Sequence, residues 1–167
     1  MCSRTLRHKQ ALGFWVLTVN ELVKVRIELP PENTLNASSE TLWAEPLGNG
    51  LFKLQNSPFG AYGYSFEDIV IADDNEMPTV SGVHKNSGRS TYRILLKDGA
   101  LNTDEFVQAW KKLEKIGCTY EGSESKLLSI DVPAETDIFQ AYKLLEAGEE
   151  VDLWEFEEGK CAHKIEA

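Results

Sequence analysis

From Ser90 to Phe156 the sequence runs through strand, helix, strand, strand, helix and strand signals, and this order constrains the fold more than any other feature. Tyr92, Ile94 and Leu96 recur at every second position and share one face of a strand. Asn102, with Glu105 three positions later, reads as a helix start: a capping-box variant whose two side chains satisfy two unpaired amides. Phe106, Val107, Trp110, Leu113 and Ile116 then fall on one helical stripe, and Gly117 supplies the left-handed residue that stops it. Cys118 to Glu121 and Leu127 to Val132 read as a hairpin across Gly122 and Ser123, with Leu128, Ile130 and Val132 facing one way. Pro133 opens a second helix carrying Ile138, Ala141, Tyr142 and Leu145, and Gly148 closes it. Val151 to Phe156 is the last strand. A βαββαβ order predicts a ferredoxin-like module, in which two helices cover one face of a four-stranded antiparallel sheet.

The texture before His84 is different. Val23, Val25, Ile27 and Leu29 alternate with charged residues, as a strand with one buried face requires, and Pro30 with Pro31 stops it. A hairpin follows around Gly48, Asn49 and Gly50, where Pro46 marks an edge or a bulge. Ile69 to Ile71 and Val80 to His84 are further strands, separated by a turn at Asp73, Asp74 and Asn75. Some five short strands predict a small, strongly bent antiparallel sheet, partly barrel-like. The expected class is therefore α+β: a loosely ordered extension over residues 1–20, a β-rich module over 21–87, the ferredoxin-like module over 88–159, and a mobile tail over 160–167.

Charge narrows the partners. The chain carries 17 basic and 27 acidic residues, a net charge of −10. From Glu121 to Glu158 there are twelve carboxylates, opposed only by Lys126 and Lys143. Such a field repels phosphate backbones and attracts a basic protein, so no nucleic-acid partner is expected. The longest apolar run, Ala11 to Val19, is too short to cross a bilayer and lacks the small residues of an export cleavage site, so no membrane partner is expected either. Cys2, Cys118 and Cys161 are odd in number and have no CxxC spacing, which fits reduced thiols in a cytoplasmic protein.

Three further stretches carry a likeness: ETLWAEPLGNGLFKLQNSPFGAYGYSFEDIV, then SGRSTYR, then VPAETDIFQAYKLLEAGEEVDLWEFEEG followed by CAH. In this order they resemble the small bacterial proteins grouped as domain of unknown function 4265, over residues 22 to 163. The resemblance implies no catalytic residues.

The stretch from His84 to Arg93, HKNSGRSTYR, looks most like chemistry. It lacks the GxxxxGK[ST] pattern of a phosphate cradle and runs into a strand where a cradle needs a helix. Around Ser90 the sequence reads G-R-S-T-Y, which breaks the nucleophile-elbow pattern, so His84, Ser90 and an aspartate are not expected to form a catalytic set. It reads instead as a joint, with Arg89 and Arg93 pinning carboxylates across two modules. Only His8, His84 and His163 are present, without ligand spacing, and no metal or other cofactor is expected. No catalytic residue is assigned.

Two places look able to bind a partner. The loop Ser57 to Phe66 spaces Phe59, Tyr62, Tyr64 and Phe66 with glycines, joining rigid rings to a flexible backbone. Trp154 and Phe156 lie among Asp152, Glu155, Glu157 and Glu158, an apolar anchor rimmed by negative charge. The expected function is a non-enzymatic, acidic interaction protein that binds a basic protein partner, of which an immunity-type inhibitor of a bacterial toxin is one form. The alternative is a regulatory module holding a small ligand between the two modules through the aromatic loop, Arg89, Ser90 and Arg93.

Overall fold

The computed structural model describes residues 5–9, 15–19, 21–33, 35–122 and 126–165, the first two stretches as backbone only. Those two, β1 (Thr5–Lys9) and β2 (Trp15–Val19), pair antiparallel. The remainder of the expected extension, and Ser123 of the expected turn, lie outside the described residues.

A five-stranded antiparallel meander follows: β3 (Val23–Glu28), β4 (Ser39–Gly48), β5 (Leu51–Leu54), β6 (Ile69–Ala72) and β7 (Val80–Lys85), hydrogen-bonded in chain order. Val25 and Ile27 bury one face with Leu42, Ala44, Leu54 and Val70, while Lys24 and Arg26 point to solvent. Pro46 sits where β4 has run past its pairing with β3 and shifts register against β5, so its missing N–H removes no ladder bond to β3. The sheet is open as a ladder. Its first strand meets the chain just before β7 at one isolated bridge, where Arg26 N donates to Pro78 O at 2.8 Å beside Thr79.

The second half contains β8 (Ser90–Leu96), α1 (Asp104–Lys115), β9 (Thr119–Gly122), β10 (Leu127–Val132), α2 (Ile138–Glu150) and β11 (Trp154–Lys160). Its antiparallel sheet has the order β11-β8-β10-β9. Tyr92, Ile94, Leu96, Leu128, Ile130 and Val132 meet Phe106, Leu113, Ala141 and Leu145 of the helices in one core. The protein is thus α+β, with two antiparallel sheets and two helices in its main body.

Several local expectations shift. The N-cap of α1 is Thr103, whose Oγ1 accepts from Phe106 N at 3.2 Å, and Asn102 instead ends a short 3-10 turn. That puts Phe106, not Glu105, at the third helical position, so no capping box forms. Val107 is 41% exposed, leaving Phe106 and Leu113 as the buried stripe with Trp110 and Ile116 beside it. Pro133 begins a turn, and α2 starts five residues later at Ile138, behind its cap Asp137, which accepts from Phe139 N and Gln140 N. Gly148 lies inside α2, where a Cβ would stand 1.9 Å from the Trp154 ring. The tail is also docked at its start. Ala162 N donates to Ser90 Oγ at 2.9 Å, and Lys160 Nζ binds Asp68 Oδ2 at 2.6 Å.

Candidate functional site

The sheet face turned away from the helices carries Thr91, Arg93, Ser129 and Asp131, all buried. A polar row inside the protein needs a polar partner, and the partner is the irregular loop Ser57 to Phe66, whose main chain lacks a ladder of its own. Ser129 Oγ donates to Pro58 O at 2.7 Å, Arg93 Nη2 to Ala61 O at 2.6 Å, and Thr91 Oγ1 to Ser65 Oγ at 2.8 Å. Glu40 holds the loop from the other sheet: the amides of Phe59, Gly60 and Ala61 donate to its carboxylate at 2.6, 2.8 and 3.0 Å. Ser57 N donates to Glu121 Oε1 at 2.8 Å, and burial pushes the Glu121 carboxyl above its ordinary range. Gly60 permits this close packing, since a Cβ there would stand 2.6 Å from Leu35 Cδ1.

The junction residues have internal partners. Arg89 grips Asp131 with two bonds, Nε to Oδ1 at 2.9 Å and Nη2 to Oδ2 at 2.5 Å, reaches Glu67 at 3.4 Å, and lies over the Phe66 ring. Arg93 donates Nη1 to Glu157 Oε1 at 3.0 Å, with its Cζ 4.3 Å from the Tyr62 ring centroid. Its Nε is buried without a hydrogen-bond partner and is the one such side-chain atom among the described residues.

His84 is exposed, and the histidine beside Ser90 is His163, with Nδ1 2.6 Å from Ser90 Oγ. The opposite nitrogen, Nε2, lies 2.9 Å from Pro133 O, a pure acceptor, so Nε2 carries a proton, and in the neutral ring Nδ1 is left to accept from the serine. Ser90 is fully buried in its strand, its oxygen already accepting from Ala162 N. The hydroxyl is thus engaged by two groups of the tail. The pairing fastens the start of the tail, and the sequence offered no signal for it beyond the presence of a histidine.

The predicted anchor is corrected in part. Trp154 is fully buried, its Nε1 donating to Leu145 O at 2.9 Å, because it shares the helix-facing side of β11 with Phe156, opposite Leu96 and Ile94 of the core. Phe156, two residues on, emerges at the rim, with its ring centroid 5.3 Å from that of Tyr142. Phe139 and Tyr142, on one side of α2, are 56% and 44% exposed. Helical periodicity predicts Tyr142 on the buried stripe with Ile138, Ala141 and Leu145, but in α2 it turns to the exposed side with Phe139. Around these rings stand Glu146, Glu149 and Glu158, with Asp152 and Glu155 exposed beyond them. Lys97 pairs with Glu155 at 2.5 Å and holds its carboxyl below the ordinary range. Tyr62 is exposed and donates to Glu157 Oε2 at 3.0 Å, while Tyr64 packs half-buried on the first core.

Among the described residues no group of three or more His, Cys, Asp or Glu is placed to hold a metal, and no helix is long and apolar enough to cross a membrane. An open cleft of about 580 Å³ lies over the uncovered end of the polar sheet face, lined by Leu35, Leu95, Leu127, Phe156 and Arg93 among others.

The profile of the family described as domain of unknown function, DUF4265, matches residues 40–156, which takes in the meander from β4, the aromatic loop and the βαββαβ half into β11. The chain belongs to the DUF4265 family. The matched DUF4265 region contains Glu40, Arg89, Arg93 and Phe156, and ends just before Glu157. No curated protein matches the sequence significantly. Among solved structures, a hypothetical protein from Neisseria gonorrhoeae is similar, with a TM-score of 0.69 at 18% identity over 83% of this chain and 96% of that one. At that identity the likeness concerns the fold.

Proposed function

We propose that this DUF4265 protein is a non-enzymatic, cytoplasmic interaction protein that binds a basic protein partner through the face made by β11 and α2, as an immunity-type inhibitor binds its toxin. The observation that carries the reading is the pair of exposed rings Phe139 and Tyr142, with the half-buried Phe156 against Tyr142, bordered by Glu146, Glu149 and Glu158. Rings supply contact area at low entropic cost, and a carboxylate rim steers a cationic surface toward them. The test is calorimetric titration with the product of the neighbouring gene at low and high salt. Affinity should fall as salt rises and drop at least about tenfold in Glu149→Lys with Glu158→Lys. Affinity indifferent to both would sink the reading.

The cleft beside Arg93 favours a second reading, a regulatory module for a small ligand. A metabolite screen that raises the melting temperature would support it. Two finer architectural readings accompany the proposal. Residues 88–159 are taken as a ferredoxin-like module, supported by the order β11-β8-β10-β9, and residues 21–87 as a partly barrel-like one, supported by the bridge between β3 and the chain just before β7.

A further inference from the structure

β11 lies at the edge of its sheet, with no described strand on its outer side. Its neighbour fixes which way its main chain points. Leu96 donates its amide to Lys126 O on the β10 side, at 2.8 Å, so Trp154, which faces Leu96, does not exchange bonds with it. In an antiparallel pair the bonded and non-bonded positions alternate, so Trp154, Phe156 and Glu158 all turn their main-chain groups outward. Phe156 bears this out: its amide donates to Glu149 Oε1 of α2 at 3.2 Å. A surface carboxylate thus occupies the place where a carbonyl of a further strand would sit.

The two sides of this edge differ. On the side away from the helices, Glu155 and Glu157 already hold Lys97 and Arg93. On the helix side lie Phe156 and Tyr142, with Glu146, Glu149 and Glu158 around them, and the only cation on the outer stretch of α2 is Lys143. Carboxylates along an edge guard it against strands of neutral or like charge, so a second copy of this chain would bring two acidic edges together and is disfavoured. A strand with Lys or Arg at every second position meets the opposite situation. Its aliphatic stems would lie on the rings while its charged heads reach the three glutamates.

We infer that the outer edge of β11 receives an extended segment of the partner as an additional strand, with basic side chains at alternate positions directed over Phe156 and Tyr142. This rests on the acidic-face reading above and adds the form in which the partner binds.

The probe is a synthetic peptide, acetyl-Arg-Thr-Arg-Val-Arg-Thr-Lys-amide, set beside an isomer with its basic residues in one block and a version N-methylated at alternate amides. Binding is followed on the full-length protein by calorimetry and by amide exchange in nuclear magnetic resonance. The alternating peptide should slow exchange at Phe156 and Glu158, and both the block isomer and the N-methylated version should bind about tenfold more weakly or worse. Equal binding of all three, abolished by Glu149→Lys with Glu158→Lys, would overturn strand addition and leave the acidic face standing. Equal binding unaffected by that variant would remove both. No binding of the alternating peptide would overturn strand addition alone.

Discussion

Arg93 and Glu157 form an ion pair across adjacent strands in which one partner is closed from solvent and the other is not: the bond is 3.0 Å, and the side chains are 0% and 39% exposed. The guanidinium also holds the aromatic loop through Ala61 O, so one buried charge joins β8, β11 and the loop.

Removing its counter-charge is therefore more costly than an exposed pair would suggest. Glu157→Gln keeps an acceptor for Arg93 and should lower stability by about 1 kcal/mol, whereas Glu157→Ala strands a buried cation and should cost about 3 kcal/mol. Urea unfolding of the two variants gives the comparison. Equal midpoints in the variants would mean that water reaches Arg93 and replaces the carboxylate.

Glu40 organises the loop with three charge-assisted bonds to successive amides. Glu40→Ala should cost about 2–4 kcal/mol and speed hydrogen exchange at Phe59, Gly60 and Ala61 well ahead of Ile94 or Leu128 in the helix-covered core. Exchange that quickens uniformly over both regions would show that the carboxylate is not a local clasp.

Burial, with Asp131 as a lesser cause, raises the Glu121 carboxyl above its ordinary value of 4.5. The folded state then binds the proton more tightly than the unfolded one, so this group's contribution falls as pH rises from 4.5 through the folded value, and its cost is complete above that. Glu121→Gln keeps an oxygen for Ser57 N and removes the charge. Its melting temperature at neutral pH should equal or exceed that of the parent, and the difference should shrink on acidification. A deficit of constant size at every pH would argue that the carboxylate is no burden.

Much of the second half was legible because its signals are local and one-sided. Tyr92, Ile94 and Leu96 alternate, and Gly117, at φ 97°, ends α1 as its type and position indicate. What could not be read depends on contacts distant in sequence. Arg93, Ser129 and Asp131 look like the solvent side of their strands, and only the arrival of a loop from before β6 makes that face an interior. Ser90 finds its histidine 73 positions away, and Trp154 is buried although every neighbour in WEFEE looks exposed. The same holds for the acidic stretch: its carboxylates are countable in the sequence, but which rings stand among them depends on the phase of β11 against α2.

Gly148 separates the two kinds of information. As a helix terminator it would tolerate alanine at modest cost, and as the interior helical residue it is, propensity alone favours alanine by about 1 kcal/mol. The packing argues the opposite, since an added Cβ would lie 1.9, 2.2 and 2.6 Å from three atoms of the Trp154 ring, whose Nε1, next to the crowded Cε2, is held by the bond to Leu145 O. The ring cannot withdraw without giving up that bond and the surrounding core, so overpacking should outweigh propensity and Gly148→Ala should lose about 2–3 kcal/mol. The Trp154 indole should shift its near-ultraviolet dichroism in the same variant, because α2 must move off the sheet to make room. A variant as stable as the parent, with an unchanged aromatic spectrum, would mean that α2 and β11 are not in the contact described.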